Sequence, residues 1–311
     1  MTHKQHIMRE NVIEKLRETV VKGLFTTDTV QRCWPIWVNK IKAIIGDNPT
    51  PQSVLGIGDN LANIFKTTGN EGRDQGELSA GGTGWESIIV WYINLCCIGT
   101  RVVAVKNMAH VPEPIKDAIS VNYSNFSCTT ESDITVIVFP DDALFTDSNY
   151  LKRNGKIDIH ALSEKVSDKF VDFQIGIIQC KTNWNDNAQI PMLWDMIYSA
   201  GGFGARQISV GRNNFSIQDL ELFTYSFVTV PTNRITNYKT TSLSVKRVIN
   251  LSGGNYWGLP TSNGIARSVR EIFQNYRSGF VNTDIKRTLD AELPLLRTDY
   301  KYFNIYEEED A

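Results

Sequence analysis

Apolar residues recur at helical spacing through the first part of the chain. Val12, Leu16, Val20 and Leu24 fall every four residues, and Trp34, Trp37, Ile41 and Ile44 at intervals of three and four. This spacing predicts helices over 8–24 and 29–45. Asn48-Pro49-Thr50-Pro51 breaks the second helix, a short one is expected over 59–66, and the polar, glycine-bearing stretch 67–82 reads as a loop. From Gly84 the pattern changes: 84–98 is apolar nearly all round, as in a buried helix. Strands are expected at 101–106, 119–128, 133–139, 173–181, 207–210 and 222–230. A polar insertion, 140–172, carries a helix around 160–170; further helices are expected over 190–199 and, amphipathic, 266–277. Elements mixed in this order predict an α/β fold, a mixed β-sheet flanked by helices. The chain divides into an N-terminal helical region (1–75), a core (76–232) and a C-terminal extension (233–311), with no internal repeat.

Composition narrows the class only slightly. With 32 basic and 34 acidic residues in 311, the net charge is −2, so no global basic signature marks a nucleic-acid partner. A cleft needs positive potential only locally, and metal-holding carboxylates lower the total. The cysteines, Cys33, Cys96, Cys97, Cys128 and Cys180, are odd in number and form no CxxC pair. They read as reduced thiols of a cytoplasmic protein rather than a zinc site or disulfide framework. The charged N-terminus has no signal-peptide core, and no apolar run approaches the ~20 residues that span a bilayer, so no membrane partner is expected.

The residues that carry chemistry lie on two strands. Side chains alternate along a strand, so Gln179 and Lys181 share one face with Phe173, Ile175 and Ile177, and Cys180 lies opposite. A lysine straight after an apolar run is an odd structural choice, because charge near a core is costly unless paired. Asp133 stands where the apolar run ITVIVF begins, again at the boundary between core and solvent. If the two strands are antiparallel neighbours, Asp133 faces Gln179 and Lys181. Asp133 can then bind Mg²⁺, with the Gln179 side-chain carbonyl and the Cys180 backbone carbonyl completing part of its shell. Lys181 can orient or deprotonate the attacking water while the ion neutralises charge on a phosphate.

These residues resemble the PD-(D/E)xK nuclease superfamily, the fold of most type II restriction endonucleases. The family pattern is an Asp at a strand start, (D/E)xK on the next strand and an acid on a preceding buried helix. Here those positions are Asp133 in ESDITVIVFP, Gln179-Cys180-Lys181 in IIQCKTNW, and Glu86 in GTGWESIIVWYI. The glutamine makes the pattern most similar to the Mrr-type branch, and the resemblance covers roughly residues 80–200. It implies a restriction-endonuclease-like core for 76–232 and a Mg²⁺-dependent, site-specific cut in double-stranded DNA. It also implies a homodimer, with 233–311 suited to DNA contact or dimerisation. Two departures stand out: Gln179 replaces an acid, leaving Glu86 more to do, and Asp133 and Gln179 are 46 residues apart because of the 140–172 insertion.

Around this centre, Asn183, Asn185 and Asn187 follow Lys181, and amides pair with adenine edges or contact phosphates. A polar turn with Asn187 as N-cap reads equally well. Arg267 and Arg270, with Arg277, could form a phosphate-tracking helix face or an ordinary solvated one. At Glu86 a first-turn acid favoured by the helix dipole competes with a metal ligand. Glu131 is a spare ligand candidate, whereas Asp141 and Asp142 read as solvated. LGIGDN lacks a dinucleotide fingerprint, no P-loop is present, and no nucleotide cofactor is expected. Two further functions stay open: a modification-dependent or repair nuclease of the same fold, and a DNA-binding protein with a decayed nuclease core.

Overall fold

The computed structural model describes residues 11–68, 75–123, 126–129, 132–146, 152–153, 156–181, 209–229, 241–243, 246, 256–258, 270 and 285–306. The described residues open with three helices: α1 (Val12–Leu24), α2 (Asp28–Ile45) and α3 (Pro51–Lys66). The Asn11 side chain caps α1 by accepting from the Glu14 N–H at 2.9 Å. The third helix starts eight residues before the expected 59. Pro51 sits in its first turn and Thr50 and Ser53 form a reciprocal capping box, so the proline-rich stretch that ends α2 also begins α3.

The next helix, α4 (Gln75–Cys96), corrects the loop expected over 67–82, whose last part is helical. A Cβ at Gly84 would lie 3.4 Å from Thr29 and Trp37 and 3.5 Å from Phe65, ordinary contact distances, so α4 packs directly on α2 and α3 here. That packing outweighs the poor helix propensity of glycine. Beyond α4 lie β1 (Val102–Val105), α5 (Glu113–Ala118), β2 (Ser120–Tyr123), β3 (Phe126–Thr129) and β4 (Ile134–Val138). The single strand expected over 119–128 is instead a hairpin of β2 and β3. The polar insertion holds α6 (Ala143–Thr146), the small hairpin β5 (Lys152–Arg153) with β6 (Lys156–Ile157), and α7 (Ile159–Asp168). Further along, the described residues include β7 (Gln174–Lys181), β8 (Ser209–Val210), β9 (Leu222–Thr229), β10 (Tyr256–Gly258) and α8 (Ile285–Glu292). The helices expected at 190–199 and 266–277 lie outside the described residues, apart from Arg270.

The strands form a mixed five-stranded sheet, in the order β1-β4-β7-β9-β10, with flanking helices. β4 runs antiparallel to β1 and β7, while β9 is parallel to β7 and to β10. The ends of β1, β7, β9 and β10 therefore line up with the start of β4 along one sheet edge. A separate three-stranded sheet has the order β3-β2-β8.

As the outermost strand, β1 has a free side whose backbone groups must find partners. Asn94 of α4, fully buried, supplies them. Its Oδ1 accepts from the Ala104 N–H at 3.1 Å and its Nδ2 donates to the Ala104 carbonyl at 2.7 Å. Arg17 of α1, also fully buried, donates to the Val102 and Thr100 carbonyls at 2.6 and 2.9 Å and pairs with Glu14 at 2.9 Å. Burial alone would lower the Arg17 pKa, but Glu14 outweighs it and the guanidinium stays charged. The C-terminal segment closes over the N-terminal helices: Trp34 and Trp91 donate their indole N–H to the carbonyls of Asn304 and Phe303, at 2.9 and 3.0 Å. No helix among the described residues is long and apolar enough to cross a membrane.

Two stability predictions arise here. Alanine in a helix interior usually gains up to ~1 kcal/mol over glycine. At Gly58 in α3, however, a methyl group would strike the Tyr92 phenol and lie 2.6 Å from the Arg270 backbone nitrogen. Tyr92 is held by its hydrogen bond to the Leu55 carbonyl at 2.8 Å, so it cannot yield freely. Gly58→Ala is therefore expected to cost about 1–3 kcal/mol of stability in urea unfolding; a gain would show that Tyr92 moves aside without loss.

His110 supplies the second. Its Nδ1 is buried without a hydrogen-bond partner among the described residues, and burial holds the imidazole below its ordinary value of 6.5. The native state thus favours the neutral ring. Its contribution is complete above the unfolded pKa and is lost as pH falls through the folded one. Thermal melts from pH 7.5 down to about 5.5 should show a steeper fall for wild type than for His110→Leu; parallel curves would count against this titration.

Candidate active site

The sheet edge assembles the candidate residues from four segments. β4 and β7 pair antiparallel with Ile134 opposite Ile178, so Asp133, one step before β4, stands opposite Gln179. Its Oδ2 accepts from Gln179 Nε2 at 3.0 Å and from the Cys180 backbone N–H at 2.6 Å. The antiparallel juxtaposition expected from sequence is therefore present, and the carboxylate bonds to the QxK segment itself. Gln179 is only 1% exposed, so its amide needs such a partner. Lys181 ends β7 half-buried, with Thr229 of β9 as its register partner. No hydrogen bond or ion pair joins its ammonium to another described residue.

Glu86 reaches the edge from above. It follows Trp85, whose indole N–H donates to the Val228 carbonyl at 3.3 Å, and Val228 is the register partner of Cys180. Val90, Ile93 and Cys97, which share its helical face, are fully buried, so Glu86 is the polar end of an otherwise apolar stripe. Its carboxylate does not stand alone: Oε2 lies 3.0 Å from Lys106 Nζ. The Cys180 thiol reports on this surrounding charge. Burial pushes it well above its ordinary value, the Asp133 and Glu86 carboxylates push it further, and Lys106 and Lys181 draw it back. All four charged groups thus act on one buried atom.

Lys106 is the residue the sequence reading missed. The sequence pattern places it only at the end of the strand expected over 101–106, although it follows the apolar run VVAV as Lys181 follows FQIGIIQC. The same signal, charge at the end of a buried strand, marks both. Asp142 is occupied elsewhere: it caps α6 through the Leu144 N–H at 2.9 Å and pairs with Lys169 at 2.9 Å. The Leu144 bond first, then Lys169, holds its carboxyl below the usual range. Arg270 pairs with Asp59 at 3.2 Å and donates to Gln52 at 3.3 Å, both on α3. Asn183, Asn185, Asn187, Arg267 and Glu131 lie outside the described residues.

The donors at this edge are all hard oxygens: the Asp133 and Glu86 carboxylates, the Cys180 backbone carbonyl and the Gln179 side-chain carbonyl. Gln179 contributes its oxygen only if the amide turns over, since Nε2 faces Asp133. The Cys180 thiol is held protonated and offers no thiolate. Among the described residues no three His, Cys, Asp or Glu side chains converge as a metal cage. Two carboxylates with neutral carbonyls suit Mg²⁺, which keeps several of its waters, better than they suit zinc. No known protein family matches the sequence, and neither does any characterised protein.

Proposed function

We propose that this chain is a Mg²⁺-dependent endonuclease of the PD-(D/E)xK type that cuts double-stranded DNA at a specific sequence, as type II restriction enzymes do. The observation that carries the reading is the contact of Asp133 with Gln179 and the Cys180 N–H, with Lys181 next along the strand. The chain order of helix α4 with Glu86, strand β1, β4 with Asp133 just before it and QxK-bearing β7 supports a restriction-endonuclease-like core.

Asp133, Glu86 and the carbonyl of Cys180 would hold the ion, while the Gln179 side chain keeps its N–H on Asp133. Magnesium there would supply charge neutralisation at the scissile phosphate and lower the pKa of water. The N–H groups of Gln179 and Cys180 orient the Asp133 carboxylate before substrate arrives, so little reorganisation is left for the reaction. Lys181 holds the attacking water in line and stabilises the negative charge that grows on the phosphate oxygens. A homodimer would bring two such centres to the two strands of a duplex.

Digestion of plasmid DNA with and without Mg²⁺ tests this. Wild type should give discrete bands that disappear with EDTA and in Asp133→Ala. Cutting confined to methylated plasmid would favour the modification-dependent form. A second reading, DNA binding without catalysis, draws support from the Glu86–Lys106 ion pair and from the amide at 179. Intact plasmids together with a gel shift would establish that reading and remove the nuclease.

A further inference from the structure

The ammonium of Lys106 sits in a built socket. Besides the Glu86 carboxylate at 3.0 Å, it donates to the Thr83 carbonyl at 3.0 Å and to Ser87 Oγ at 3.2 Å. Residues 83, 86 and 87 share one turn of α4, so three acceptors from one helical face meet the three donors of a single ammonium. Lys106 directly follows β1, whose Val105 pairs with Thr135 of β4, two residues beyond Asp133. The socket therefore joins the same edge as the Asp133 contact, and α4 packs against both β1 and β7.

Formal charge at this edge then balances among the described residues, with Glu86 and Asp133 against Lys106 and Lys181. Sites for divalent cations ordinarily carry net negative charge, and a nearby ammonium opposes a cation by direct repulsion. Swinging Lys106 away would cost the Thr83 and Ser87 bonds, so the neutralisation is maintained by the fold. We propose that Lys106 is a positioning residue that pins and neutralises Glu86, so that the centre takes a single divalent cation and takes it weakly while DNA is absent. This rests on reading the edge as a metal-dependent nuclease centre. The consequence is order: phosphate charge from DNA strengthens uptake of the ion, and the DNA-free protein stays largely metal-free.

Calorimetric titration of the full chain with Mn²⁺, without DNA, tests the idea independently of cleavage. Lys106→Met should bind Mn²⁺ at least about tenfold more tightly than wild type, as the loss of one nearby positive charge requires. Lys106→Arg, which keeps the charge, should stay near wild type. Lys106→Gln removes the charge but retains a hydrogen-bond donor to the socket, and it should also bind more tightly; a thermal melt of each variant establishes folding. Unchanged affinity in both Met and Gln variants, with Asp133→Asn still weakening binding, would overturn the role of Lys106 and leave the metal centre standing. Absence of Mn²⁺ binding in every variant would overturn both.

Discussion

Lys181→Met is expected to slow Mg²⁺-dependent plasmid cleavage by about a thousandfold, the loss typical of a removed acid–base or charge-stabilising group. The protein should remain folded, because Lys181 makes no hydrogen bond or ion pair with another described residue and only ends β7. Its thermal unfolding should therefore stay within about 0.5 kcal/mol of wild type. Asp133→Asn should reduce cleavage at least as strongly and with some loss of stability, since the Cys180 N–H and the Gln179 amide would meet a neutral partner in place of a carboxylate. Single-turnover cleavage rates beside melting curves separate the two cases. If Lys181→Met kept its rate within about tenfold of wild type, the catalytic cation would have to be sought elsewhere, first at Lys106.

The second large effect concerns the core. Arg17→Met is expected to destabilise the chain by about 3–5 kcal/mol, because it leaves the Glu14 carboxylate buried without its cation. It also orphans the Val102 and Thr100 carbonyls, which Arg17 now satisfies. Glu14→Gln should cost a comparable amount, since it leaves the Arg17 guanidinium buried without its anion and sets an amide N–H against one of the two Arg17 donors. The double variant Glu14→Gln/Arg17→Met should cost clearly less than the two single changes together, because no lone charge remains. Urea unfolding of the three variants measures this, and strict additivity would show that the pair is not coupled. The effect bears on the site as well. Asn94 joins Arg17 in holding β1, and it lies eight residues along α4 from Glu86, about 12 Å at helical rise. Loosening that end of β1 should therefore also loosen the Glu86–Lys106 contact.

Much of this was legible in the chain. The four-residue apolar spacing of Val12 to Leu24 placed α1, and the apolar runs before Lys181 and after Asp133 placed β7 and β4 with polar groups at their ends. Local signals misled where neighbours decide the outcome. The stretch over 75–82 reads as loop by its glycines, but it continues into α4, whose packing on α2 and α3 outweighs their poor helix propensity. The run over 119–128 reads as one strand, whereas its two halves pair with each other in a second sheet. Lys106 carried the same mark as Lys181, but nothing within its own strand announced a partner in α4.

Periodicity along the chain was enough to place most of the helices and strands, with 75–82 and 119–128 as the exceptions, and to show which residue types stand where apolar runs stop. Those properties follow from periodicity along a single segment, within reach of its near neighbours. That β4 and β7 are antiparallel neighbours, in the register that sets Asp133 against Gln179, follows from the packing of the folded chain. The same packing decides that Glu86 meets Lys106 at this edge, and that Asn94 and Arg17 close the free side of β1. Each of these contacts joins residues that are near in space through the packing of whole elements. Hydrophobic periodicity specifies which face of an element is buried, but not which polar group will wait at the end of the element it packs against.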